Sequence, residues 1–175
     1  DIDFWVVREN TEGEYSQIGG TMYAGTEREF VSQVAVFSRK GCDRIARKAF
    51  EVAKDNGWKK VVAITKRNIL KETDGIFWSS IENAAKQFKG IEYEEYYIDN
   101  MTQQLVKNPE RFNQNVLVST NLFMDVISEC ASGNVGSIGN VYSGNYGDKY
   151  AMFEPAHGSA PKYVGKDKVN PVATV

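Results

Sequence analysis

Short apolar runs alternate with amphipathic segments along this chain, and their order predicts an α/β fold. Phe4 to Val7, Lys60 to Thr65, Ile91 to Ile98 and Val116 to Val118 read as strands, the second of them carrying the unbroken apolar run Val61 to Ile64. Between Lys40 and Asn56 the residues Ile45, Ala46, Ala49, Phe50, Val52 and Ala53 follow helical spacing, with Gly57 placed to end the helix. Ile69 to Phe88 reads as a second helix closed by Gly90, and Asn100 to Val106 as the start of a third, broken by Asn108-Pro109. Ile18 to Gly25 reads as a flexible glycine-bearing stretch. In the strand Phe30 to Ser38 apolar residues occupy both alternating sets, so both faces need cover, and a protruding arm over roughly 18–38 that pairs with another subunit meets that need.

The run Val116 to Val118 leads through Ser119, Thr120 and Asn121, three candidate N-caps, into an apolar-periodic helix. On that helix Asp125 and Glu129 stand four residues apart, on one face in the first turns. They read either as solvated acids or as a pair gathered around a cation. After Ala131 five glycines fall between Gly133 and Gly147, predicting loops and close backbone approaches rather than a packed helix. A boundary near Ser132 separates a central domain, 1–132, from a shorter segment, 133–175.

Composition narrows the class. An apolar share of 42%, a charged share of 25% and a net charge of −2 are those of an ordinary globular protein, with no electrostatic reason to invoke nucleic acid or an anionic membrane. Only Cys42 and Cys130 are present, which fits a reducing compartment, and no apolar run reaches a membrane span, so the cytoplasm is the expected location. Both ends read as cut, as in part of a longer enzyme.

Tyr15, Lys66, Asp99, Asp125 and Glu129 fall at or just past the ends of predicted strands, where open α/β sheets bind ligands. Singly, Lys66 reads as a solvated lysine and Tyr15 as a rim tyrosine. Jointly they describe a hard-metal centre with an acid/base pair beside it. His157 is the lone histidine, a structural residue more often than a catalytic one, and Gly158-Ser159-Ala160 presents free N–H groups suited to a phosphate, with Lys162 and Tyr163 beside it. No GxGxxG joins a strand to a helix, so an ordinary Rossmann site is unsupported.

RENTEGEY (Arg8 to Tyr15), TKRN (Thr65 to Asn68), Tyr97-Ile98-Asp99, NLFMDVISE (Asn121 to Glu129) and FEPAHGSAPKYVGKDKVNP (Phe153 to Pro171) resemble, in order, the metal-dependent β-decarboxylating dehydrogenases. That family acts on isocitrate, 3-isopropylmalate, homoisocitrate, tartrate and D-malate. The resemblance implies a dimerisation domain plus part of a cofactor domain, and an active site shared across a homodimer. It implies that Arg8 holds a substrate carboxylate, Tyr15 protonates an enolate, Lys66 reaches in from the partner subunit, and Asn68 lies near substrate and nicotinamide. Asp99 of one subunit, with Asp125 and Glu129 of the other, is implied to hold Mg²⁺ or Mn²⁺. Glu154, His157, Gly158, Ser159, Ala160 and Asn170 are implied to line the cofactor.

Two positions depart from the common pattern. Glu129 stands where most members carry aspartate, and Lys162-Tyr163 stands where NAD-using branches carry an acid, which favours NADP over NAD. The serine- and arginine-bearing specificity segment would precede Asp1, so the 3-substituent of the acid is not encoded here. The activity implied is oxidative decarboxylation of a malate-type 2-hydroxy acid, with the fragment alone poorly active. The alternative is a non-catalytic regulatory subunit of the same fold.

Overall fold

The computed structural model describes residues 1–136 and 138–175. In chain order the elements are β1 (Trp5–Arg8), β2 (Gly13–Met22), β3 (Phe30–Val36), α1 (Arg39–Asp55), β4 (Lys60–Thr65) and α2 (Thr73–Ala85). There follow β5 (Glu92–Tyr97), α3 (Ile98–Lys107), β6 (Asn115–Ser119), α4 (Asn121–Asn134), β7 (Tyr142–Tyr146) and β8 (Ala151–Pro155). Two compact units divide the chain, Asp1–Ser128 and Glu129–Val175, so α4 starts in the first and ends in the second. Among the described residues no helix is long and apolar enough to cross a membrane.

In the first unit β1, β6, β4 and β5 form a wholly parallel sheet in that order. Strand periodicity sorts its side chains. Val61 and Ala63 join Val116, Val118 and Val7 against Ala46, Ala49, Phe50, Phe77 and Ile81 of α1 and α2. Val62, Ile64 and Leu117, one residue out of phase, are fully buried as well, and α3, with Met101 and Leu105 buried, packs on β4 and β5. A sheet covered on both faces needs the unbroken apolar run seen in β4. Helix α1 begins at Ser38, whose hydroxyl accepts the Gly41 N–H at 3.0 Å, and closes with Gly57 at φ +70°.

Four expectations change. The stretch from Ile18 is not a flexible linker as far as Met22: it pairs with β3 in an antiparallel ribbon. A Cβ on Gly19 would collide with the Ser32 carbonyl, so that glycine serves close approach rather than mobility. The ribbon starts at Gly13, earlier than the predicted arm, and leaves Ile18, Met22, Phe30, Val31 and Val34 exposed. Helix α2 starts at Thr73, not Ile69. The buried Asp74 carboxylate accepts the Lys66 N–H, and the Ile69 and Leu70 amides both bond the Lys66 carbonyl, so 66–72 closes as a turn. Asp125 and Glu129 lie beyond the first turn of α4, where no acid sits, so the helix dipole does little for them. Finally, the glycine-rich tract contains a hairpin, β7 with β8, turned where the Gly147 N–H bonds the Tyr150 carbonyl at 2.9 Å.

Candidate active site

The carboxyl edge of the parallel sheet carries two charge-paired clusters. β1 lies beside β6 with Arg8 opposite Ser119, which brings the head of Arg8 to the start of α4. Arg8 Nη1 donates to Asp125 Oδ1 at 2.6 Å, while Nε and Nη2 both donate to Asn121 Oδ1, at 2.9 and 2.7 Å. The Tyr15 ring lies 5.2 Å from the guanidinium, a cation–π distance, and Tyr15 is 49% exposed.

The second cluster forms where β4 lies beside β5. Lys66 Nζ pairs with Asp99 Oδ1 at 2.7 Å and lies 5.7 Å from the Tyr97 ring. The Lys66 ammonium beside Asp99 holds its carboxyl below the usual carboxylate range. Asn68 occupies the exposed turn between β4 and α2. That turn is clamped to β5 by Arg67, whose Nε and Nη2 donate to both Glu95 oxygens at 2.9 and 2.6 Å, with Thr65 Oγ donating to Glu95 at 2.7 Å. The Arg67 fork, more than the opposing effect of burial, keeps Glu95 below its ordinary range.

The polar segment after β1 is ordered by acids that sequence reading passed over. Glu9, 3% exposed, accepts the Thr11 N–H, Thr11 Oγ–H and Glu12 N–H, and pairs with Arg44 Nη2 at 2.8 Å. Burial would push the Glu9 carboxyl up, but these donors outweigh it and hold it below its ordinary value. Glu12 accepts both the N–H and the hydroxyl of Ser38, tying the segment to the start of α1. Asp74, buried under Lys66, is pushed up by that burial. Glu9, Glu12, Asp74, Glu95 and Asn121 were missed because a buried acid or amide and a solvated one have the same local pattern. The only available signal was their density around Arg8 and Lys66.

In the second unit Glu154, on β8, accepts from Asn145 Nδ2 at 3.0 Å, and Asn170 Nδ2 donates to Asn140 at 2.8 Å. His157 Nδ1 faces the Gly158 carbonyl at 2.8 Å, whereas its Nε2 is shielded from solvent with no partner among the described residues. Ala160 takes a left-handed conformation, φ +45°, immediately before a short 3₁₀ turn that carries Lys162 and Tyr163. The unmatched His157 ring nitrogen is compatible with a polar cofactor.

A hard divalent ion suits the oxygen donors of Asp99, Asp125 and Glu129. Yet among the described residues of one chain no three acidic, histidine or cysteine side chains gather to hold a metal. Carboxylate oxygens are the donor type that such an ion takes.

A parallel sheet covered on both faces, with charged side chains gathered on its carboxyl edge, defines an α/β scaffold of the kind that binds ligands at that edge. All of residues 1–175 match the family described as isocitrate/isopropylmalate dehydrogenase, and the chain belongs to that family. It is 43% identical over 178 residues to the decarboxylating D-malate dehydrogenase of Escherichia coli (strain K12), covering 100% of this chain and 49% of that protein. It is 41% identical over 176 residues to a mitochondrial regulatory subunit of NAD isocitrate dehydrogenase from Dictyostelium discoideum, covering 100% of this chain and 48% of that one. The fold superposes on isocitrate dehydrogenase from Methylococcus capsulatus with a TM-score of 0.91 at 40% identity, over 99% of this chain and 50% of the other. The chain thus spans about half the length of the relatives it matches.

Proposed function

We propose that the protein containing this chain catalyses NAD(P)-dependent oxidative decarboxylation of a malate-type 2-hydroxy acid, as a homodimer with shared active sites. The observation that supports this most is the pair of clusters on one sheet edge, Arg8–Asp125 with Tyr15 and Lys66–Asp99, which together offer an anion grip, two proton-bearing groups and acidic oxygens. In this reading Asp99 of one subunit meets Asp125 and Glu129 of the other around Mg²⁺ or Mn²⁺. When bound, the metal supplies Lewis acidity at the C2 oxygen and the nicotinamide supplies a hydride acceptor. Arg8 grips a substrate carboxylate with its planar fork, Lys66 assists removal of the hydroxyl proton, and Asn68 lines substrate and nicotinamide. Tyr15 gives its phenolic proton to the enol carbon once CO₂ has left. Glu154, His157, Gly158, Ser159, Ala160 and Asn170 line the cofactor. A reducing, cytoplasmic setting belongs to the same reading, in keeping with two free cysteines.

The rival, a subunit without chemistry, is favoured by the regulatory relative. The presence of Tyr15, Lys66, Asp99 and Asp125 together argues against it, since a subunit without chemistry has no need for all four. Mixing two inactive variants separates the readings. If sites are shared, Tyr15→Phe and Lys66→Met homodimers are each nearly inactive, but co-expressed chains form mixed dimers in which one site has both intact residues. A statistical mixture then recovers about a quarter of parental turnover. No recovery would remove the shared-site reading, and no turnover of isocitrate, 3-isopropylmalate, D-malate or tartrate by the parent would remove the enzyme.

Lys162 and Tyr163 favour NADP, because a cation attracts the ribose 2′-phosphate that an acid repels. Lys162→Asp is expected to raise the KM for NADP at least tenfold relative to that for NAD. Unchanged preference in steady-state kinetics would withdraw the NADP assignment.

A further inference from the structure

We propose that Asn121 is the positioning residue for Arg8, a neutral tether that fixes the guanidinium without adding a second anion beside Asp125. The functional half of this proposal rests on the reading of Arg8 as the grip on a substrate carboxylate. Asn121 is 1% exposed and its Oδ1 accepts from Nε and Nη2 of Arg8, while its Nδ2 donates to the Glu12 carbonyl at 3.2 Å. The second bond fixes which way the amide faces, so an oxygen and not a nitrogen meets Arg8. A guanidinium has five N–H donors. Asn121 takes one from Nε and one from Nη2, and Asp125 takes one from Nη1, which leaves one on each Nη nitrogen. Two charge-assisted donors therefore stay available to the oxygens of an anion.

The choice of an amide matters electrostatically. An aspartate at 121 would hold the same fork but add a second anion to a guanidinium that Asp125 already pairs, leaving net negative charge where an anionic substrate must approach. Burial keeps water from substituting for the amide oxygen, so its loss would free the Arg8 head to sample other rotamers.

The test uses the natural protein that contains the chain, with the Arg8 Nε–H NMR signal assigned through Arg8→Lys. In the parent this proton, bonded to the buried Asn121 oxygen, is expected to exchange slowly. Asn121→Leu is expected to lose that protection and to raise the KM for the acid substrate about tenfold, with kcat within about threefold. Asn121→Asp is expected to keep the protected signal yet raise KM comparably, a result that a merely structural amide would not produce. An Arg8 Nε–H that stays protected in Asn121→Leu overturns the tether whatever the turnover. An unchanged KM in Asn121→Asp overturns the role of neutrality. If the parent turns over none of the four acids, the functional reading fails, while proton exchange still decides whether Asn121 holds Arg8.

Discussion

Tyr15→Phe is expected to lower turnover of the acid substrate about 100- to 1,000-fold, the usual loss on removing a general acid, while leaving Mn²⁺ affinity unchanged. The ring lies against the Arg8 guanidinium, 5.2 Å from it, and phenylalanine keeps that contact. Only the O–H is lost. The position is half exposed, on the ribbon rather than in the core, so deleting one oxygen leaves no buried group unpaired. Phenylalanine removes no carboxylate oxygen from the proposed ligand set, so a Mn²⁺ titration followed by electron paramagnetic resonance should superimpose on the parent. Hydride transfer precedes the proton donation assigned to Tyr15, so a single-turnover burst of reduced cofactor should survive better than steady-state release of CO₂ and product. Unchanged steady-state turnover would remove Tyr15 from the mechanism.

Glu9→Gln is expected to cost about 2 kcal/mol of stability at neutral pH, because a buried charge-assisted network loses its anion. The carboxylate organises the turn that leads to Tyr15, accepting from Thr11, Glu12 and Arg44. Glutamine keeps one acceptor oxygen and turns a donor toward N–H groups that are themselves donors. The folded carboxyl lies below its ordinary value of 4.5, so its stabilisation is fully present above that value and is lost as pH falls through the lower, folded pKa. Urea denaturation of parent and Glu9→Gln should therefore differ most at pH 7 and converge in acid below pH 4.5. A constant gap across that range would mean that the interaction is not ionic.

Particular residues show how far local pattern reaches. The span of β4 was read without error, Lys60 to Thr65, since a strand buried on both faces writes itself as consecutive apolar residues. Gly57 as the end of α1 was equally plain, because a left-handed residue after an amphipathic run has few other uses. The start of α2 was misjudged: Ile69 and Leu70 fit the apolar periodicity, but Asp74 reaches back to the Lys66 N–H and holds the intervening residues as a turn. Gly19 was misjudged as a flexibility signal, since only its partner carbonyl on β3 shows that the missing Cβ serves packing. From sequence Asn121 reads as a capping candidate, by its position before a helix. Its bond to Arg8 spans 113 residues of chain, beyond any local window.

By itself the sequence determined the strands of the parallel sheet, the helices that cover it and the motifs that mark the family, because burial periodicity and motif spacing are properties of neighbouring residues. Only the tertiary structure decided which reactive groups meet. Arg8 finds Asn121 and Asp125 because β1 inserts beside β6, and Lys66 finds Asp99 because β4 inserts beside β5. Parallel neighbours are joined through distant crossovers, so the order of strands in a sheet is settled by packing of the whole unit and not by any stretch of it.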